Sequence, residues 1–323
     1  MLRTWPGSKV RGRYFDTLRA IRGPAHNLLV KAVTQDQTQK QGATDAADWT
    51  DPSVLPVVEG SIAAAFRARK AQGLTALVPY LCAGYPSRDA SLELLIALAD
   101  AGADVLELGI PFSDPLADGP TIQRATFEAL KNGMTVSGAL DVLGEFRRVR
   151  QTPVVLFTYL NPIHRKGIED FASGAKEAGA QGLLVTDLPV GADPAIEAGL
   201  AATGLDLIRL VAPTTISSRI PEVTGGASGF LYYISRTGVT GAREEVRSEL
   251  ADEIETIRRT TDLPIAVGFG ISTPQQAALV GGIADGVVVG SALIDSVTKD
   301  GVAGGARFLT ELRSAMDRDP SLT

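Results

Sequence analysis

The sequence holds one cysteine, Cys82, among its 323 residues. No intrachain disulfide can form, which fits a reducing compartment, and a cytoplasmic location is expected. Histidine is nearly as scarce, with only His26 and His164. A structural zinc site draws on about four Cys or His ligands, more than the chain can supply. A Ser-His-Asp or Cys-His triad would have to rest on His164 alone. Basic charge is not in excess either. The chain carries 31 Lys and Arg against 37 Asp and Glu, a net charge of -6. That argues against nucleic acid or an anionic membrane as the main partner. No apolar run approaches the roughly 20 residues that a membrane-spanning helix needs. Any chemistry must therefore come from carboxylates, lysines, tyrosines or a bound cofactor.

What is present is the balance of a globular protein, 45% hydrophobic and 21% charged, with enough apolar matter for a large core. The length suits one large domain or two small ones. Residues 1–56 read differently from the rest. Arg3, Lys9, Arg11, Arg13, Arg19, Arg22 and Lys31 face a single acid, Asp16, and the polar stretch TQDQTQKQGATDAADWTDP that follows has no apolar period. This is the pattern of a disordered N-terminal extension or linker. A misread start and an Arg-rich targeting peptide are the other readings. No catalytic role is assigned to it, and residues 57–323 are taken as the catalytic domain.

From Val57 onward, short apolar runs alternate with amphipathic stretches such as SLELLIALADAG and VRSELADEIETIRR. The runs are 76–83, 104–110, 153–159, 181–187, 205–211, 229–235, 263–269 and 286–291. Runs that are apolar at every position, rather than at every second one, belong to strands covered on both faces, as in a parallel sheet. Eight strand-then-helix units over about 250 residues match a closed (β/α)8 TIM barrel. An open doubly wound sheet has the same strand count and stays open at this point.

In such barrels the chemistry sits at the C-terminal ends of the strands. Two groups of residues fall there. Gly241, Gly270 and Gly290, with Ser291, follow strands 6, 7 and 8. Glycine amides and a helix N-terminus suit a phosphate group, although tight turns alone would also place glycines there. The second group is acidic: Glu107, Asp114 and Asp118. Glu107 lies inside the apolar run VLELGI, where a carboxylate is costly unless it is paired or functional. A structural carboxylate bonded to backbone amides is the competing reading. None of the eight runs contains a lysine, which disfavours a Schiff-base aldolase and leaves acid–base catalysis.

At residues 106–123, LELGIPFSDPLADGPTIQ, the sequence resembles the tryptophan synthase alpha chain family. Three further stretches match in order: YYISRTGVTGA (232–242), GFGISTPQQ (268–276) and GSALI (290–294). The resemblance covers about residues 57–318. It implies a carbon–carbon lyase of tryptophan biosynthesis. The expected reaction is retro-aldol cleavage of indole-3-glycerol phosphate into indole and glyceraldehyde 3-phosphate. By the same resemblance, Glu107 is the catalytic acid/base and Asp118 the partner of the indole N–H. Tyr232 completes the catalytic set. Gly241, Gly270, Gly290 and Ser291 hold the phosphate. Tyr80, where the family usually has Phe, and Phe157 wall the indole pocket, unless they are plain barrel filling. Asp114, Pro115, Arg236 and Thr240 lie on the loops that signal to a partner. That partner is a PLP-dependent β subunit in an αββα heterotetramer, and no cofactor is expected in this chain. A stand-alone lyase that releases free indole, and a weakly catalytic binding or activating subunit, are the alternatives. Removal of residues 1–56 should leave the melting temperature and the lyase rate nearly unchanged; a large loss of either would make the extension part of the fold.

Overall fold

The computed structural model describes residues 61–235, 243–268 and 270–317. The extension assigned to 1–56 lies outside the described residues, as do Arg236, Thr240 and Gly241.

Eight parallel strands close into a barrel in sequence order. They are β1 (Ala76–Cys82), β2 (Leu106–Gly109), β3 (Val154–Thr158), β4 (Gly182–Val185), β5 (Asp206–Val211), β6 (Leu231–Ile234), β7 (Ile265–Gly268) and β8 (Gly286–Val289). Each falls within one of the eight apolar runs. All are shorter than the run, which loses residues from the ladder at one end or both. Closure is made by β8 on β1, in register from Ala76↔Gly286 to Pro79↔Val289, which excludes the open sheet.

Helices lie between the strands. α1 (Ile62–Ala71) precedes β1, and α2 (Arg88–Asp100) follows it. α3 (Pro120–Lys131) and α4 (Val136–Arg147) follow β2, while α5 (Leu160–Lys166) and α6 (Ile168–Ala178) follow β3. The circuit continues with α7 (Pro194–Ala201), α8 (Ile220–Gly225), α9 (Arg243–Arg258) and α10 (Pro274–Gly281). It ends on α11 (Ser291–Met316), which breaks at Gly301 (φ 67°, ψ -164°). Starts are set locally. Ser61, Ser87, Thr135 and Asp193 accept amide hydrogens in the first turns of α1, α2, α4 and α7, and Thr273 and Gln276 form a capping box on α10. Such caps each contribute about 1 kcal/mol.

The unbroken apolar strands now have a spatial meaning. Successive side chains point to opposite faces of a strand. Ala76, Val78, Val105, Val155, Leu184, Ile208, Phe230, Ala266 and Val288 fill the barrel interior. Their neighbours in sequence, such as Leu77, Leu106, Leu156, Leu183 and Val287, pack outward in the second cluster, with the helices.

The lower end of the barrel is sealed by α1. Its Ile62 and Phe66 join the interior cluster, and the Phe66 ring lies 5.3 Å from that of Phe230. Room for them comes from two glycines. A Cβ at Gly182 would stand 2.8 Å from Ile62 Cδ1, and one at Gly286 the same distance from Phe66 Cε1. Ion pairs lock this end: Asp104 binds Arg69 of α1 at 2.6 Å and Arg313 of α11 at 3.1 Å, and it accepts the Leu77 amide hydrogen at 2.8 Å. With its floor filled, the barrel can open only at the opposite rim. Truncating the plug, Phe66→Ala, should cost about 3–5 kcal/mol, read as a lower midpoint in urea unfolding. A loss under about 1 kcal/mol would show that α1 does not seal the core.

Candidate active site

Glu107 lies in β2 two residues after Val105, so it shares that residue's inward face. It is 1% exposed, and among the described residues its Oε1 has no hydrogen-bond partner. Register sets it between Tyr80 of β1 and Val155 of β3. Burial alone pushes its carboxyl from the usual 4.5 up to about 8. The group is therefore protonated at neutral pH and can act as an acid. The structural alternative, a carboxylate satisfied by backbone amides, does not fit a carboxyl with an unpartnered oxygen.

Two tyrosines cross the barrel mouth beside it. Tyr80 and Tyr232 both sit near enough to Glu107 for its charge to raise their pKa, after the larger effect of burial. Each hydroxyl rests over a glycine of a neighbouring strand. A Cβ at Gly109 would fall 2.2 Å from the Tyr80 hydroxyl, and one at Gly268 would fall 2.3 Å from that of Tyr232. Any other residue at these strand ends would push the phenols out of the mouth. Tyr80 also meets Phe157 edge-on, with ring centroids 5.2 Å apart. The two residues expected to wall an apolar pocket thus touch one another.

Asp118 is held over this mouth by the loop after β2. Burial raises its carboxyl to about 6, and a contact with the Tyr159 hydroxyl partly offsets the rise. The loop is braced by Gln123 of α3, whose Nε2 donates to the carbonyls of Asp118 (2.9 Å) and Pro115 (3.3 Å). Asp114 is exposed and accepts the Ser113 hydroxyl at 2.6 Å, whereas Pro115 is buried and Leu116 stands 91% exposed. The outer side of the loop is therefore free to meet another protein, though Pro115 itself points into the fold.

The expected phosphate residues reach the same rim as far as they are described. Gly290 follows β8 and caps α11, Ser291 is the first residue of that helix, and the two are partly buried and exposed respectively. Gly290 lies within 3.6 Å of Tyr80 and Ile122, measured from where its Cβ would be. Gly270 follows β7 with φ +76° and is exposed, a conformation that suits glycine. Gly241, Arg236 and Thr240 belong to the segment that is not described.

Residues 66–317 match the family model described as "Tryptophan synthase alpha chain". The chain belongs to the tryptophan synthase alpha chain family. Among curated members, that of Chloroflexus aurantiacus is 48% identical over 262 residues, covering 80% of this chain and 98% of its own. That of Synechococcus elongatus is 46% identical over 264 residues, covering 81% and 99%. Of solved structures, the alpha subunit from Legionella pneumophila superposes with TM-score 0.73 at 38% identity, over 79% of this chain and 98% of that one. Mycobacterium tuberculosis tryptophan synthase gives 0.73 at 35%, over 80% and 98%.

Against this family, two residues of the described rim had no role in the sequence reading: Tyr159 and Gln123. Both act on the Asp118 loop. Tyr159 follows β3 directly, 42 residues beyond its Ala117 partner, and no periodicity links positions so far apart.

The partnerless burial of Glu107 has a consequence for stability. Its raised pKa means that the fold favours the neutral form. Stability from this group is intact below the unfolded value near 4.5 and is lost as pH rises towards about 8. Glu107→Gln should therefore stabilise the protein by up to about 3 kcal/mol at pH 7, with the gain vanishing below pH ~4.5, while lyase activity disappears. Equal melting temperatures at pH 4 and pH 7 relative to the unaltered protein would contradict a buried, neutral carboxyl.

Proposed function

We propose that this chain cleaves indole-3-glycerol phosphate by acid–base catalysis on Glu107, with Asp118 stabilising the positive charge that develops on the indole ring. The observation that carries this reading is the buried carboxyl of Glu107, protonated at neutral pH and facing the barrel mouth.

The steps balance on these two groups. Protonated Glu107 gives its proton to indole C3, forming an indolenine cation. Asp118 accepts a hydrogen bond from the ring N–H and lowers the energy of that cation. Glu107, now a carboxylate, takes the proton of the C3′ hydroxyl. The oxygen lone pair closes the aldehyde, the C3–C3′ bond breaks, and its electron pair restores the indole. Glyceraldehyde 3-phosphate leaves, and Glu107 ends protonated as it began. A positioned acid/base of this kind contributes about 10²–10⁴ in rate. Tyr232 neighbours Glu107 and lines the reacting end, while Tyr80 and Phe157 enclose the indole. The start of α11 at Gly290 and Ser291, with Gly270 and Gly241, holds the phosphate through backbone N–H groups.

In this reading no step needs a cofactor from this chain. Indole passes to a PLP-dependent β subunit in an αββα assembly in the cytoplasm. Asp114 and the neighbouring exposed Leu116 lie on the loop that meets it, and Pro115 shapes that loop from within. Arg236 and Thr240, which follow β6 in the sequence, are given the same signalling role. No described helix is long and apolar enough to cross a membrane. A stand-alone lyase keeps the same residues and differs in needing no partner.

The test is indole release from indole-3-glycerol phosphate by the purified protein, with and without a β subunit, across pH. Slow release that rises sharply with the partner is expected; fast release unmoved by it would mean the stand-alone lyase. The reaction needs Asp118 ionised and Glu107 protonated. So kcat/KM should fall below about pH 6 and again above about pH 8. A rate still climbing at pH 9 would overturn Glu107 as the acid.

A further inference from the structure

The Tyr159 hydroxyl accepts the Ala117 amide hydrogen at 3.0 Å, next in the chain to Asp118, and lies close enough to that carboxyl to lower its pKa. One oxygen thus meets two consecutive residues of the loop after β2. The phenol cannot swing away. It is 4% exposed, and its ring packs 5.3 Å from that of Phe112. Thr186, just past β4, also reaches the hydroxyl, and Asp187 binds the Leu160 amide at 2.6 Å, fixing the backbone beside Tyr159. Because the Ala117 amide occupies the oxygen as acceptor, the phenolic hydrogen is directed elsewhere, and the Asp118 carboxylate is the ionised acceptor in reach.

We propose that Tyr159 is the positioning residue for Asp118: its hydroxyl, aligned by the Ala117 amide, donates to the carboxylate and aims it at the edge of the indole ring. This rests on the role given to Asp118 above and adds what holds that carboxylate in place. Among the described residues, the other titratable groups facing Asp118 are Tyr80 and Cys82 of β1. Both are neutral at pH 7, as is Tyr159, and burial raises their pKa values further. A contact with Tyr159 lowers the Asp118 pKa, so losing it raises that value. Gln123 is the contrasting anchor. It holds the loop through two backbone carbonyls, with no bond to the carboxylate.

Tyr159→Phe removes one oxygen and keeps the ring on Phe112. Indole release, assayed in the α–β complex, should show kcat falling by about ten- to a hundredfold, with KM changed much less. The acid limb of the pH profile should move above its position near pH 6. Gln123→Met, which loosens the loop alone, should slow the reaction and leave that limb in place. In an Asp118→Asn background, Tyr159→Phe should have no further effect, since the two act as one unit. An unmoved limb, or effects that multiply independently with Asp118→Asn, would reduce Tyr159 to a packing residue and overturn the proposal. Melting curves check that Tyr159→Phe folds. If it does not, 3-fluorotyrosine at position 159, a stronger donor of nearly the same size, should move the limb downward, and an unmoved limb there also overturns the proposal. Absence of indole release from the unaltered complex would instead overturn the reaction itself, and this role with it.

Discussion

Water is kept from one carboxyl group, and much of the structure follows from that. Glu107 is surrounded by the barrel wall, with phenols above it and an apolar floor below. An ionised carboxylate there would have no solvent and, at Oε1, no partner among the described residues, so the neutral acid is the stable form. A protonated carboxyl at neutral pH is what a reaction beginning with protonation of carbon requires. The exclusion of water depends in turn on closure of β8 onto β1 and on Ile62 and Phe66 filling the lower end. A plug far from the chemistry thus helps to set the acidity at the mouth.

The two carboxylates are held in different ways, and the difference matches the tasks proposed for them. Glu107 sits on a strand whose neighbours in the ladder fix it on both sides. Its proton must pass to one carbon atom and return from one oxygen, which demands a rigid mount. Asp118 sits on a loop, more exposed, with its pKa raised less than that of Glu107. It must stay ionised and meet the ring as the substrate arrives. Its position is borrowed from Tyr159 on one side and Gln123 on the other. The outer surface of the same loop carries the exposed Asp114 and Leu116, so an event at a partner surface and the placing of Asp118 share one short stretch of chain.

The glycines show how closely the mouth is built. Gly109 and Gly268 each lie beneath a tyrosine hydroxyl, at separations that no side chain could survive. Gly182 and Gly286 do the same for Ile62 and Phe66 at the floor. Both ends of the barrel are thus made by large residues from one element resting on bare backbone of another. Gly270 and Gly290, the glycines proposed to hold the phosphate, stand apart from these, just past the ends of β7 and β8.

Much of this was legible along the chain. Eight apolar runs with helical stretches between them announced a parallel sheet, because strands buried on both faces lose the alternation that marks a half-exposed one. Glu107 was conspicuous for its surroundings in VLELGI, and Asp118 lay in a motif long enough to name a family. These properties are local: burial pattern, cap residues and motif are written in consecutive positions. The sequence could not say whether β8 meets β1, since strand count is the same in an open sheet, and only the register Ala76↔Gly286 decided it. Nor could it reveal that Tyr159 answers to Ala117, that Phe66 lies under Gly286, or that Glu107 Oε1 finds no partner among the described residues. Those are relations between residues far apart in sequence, set by the circular return of the sheet. The chain by itself determined which residues are chemically able to act; tertiary structure decided which of them meet, and how dry the place is where they do.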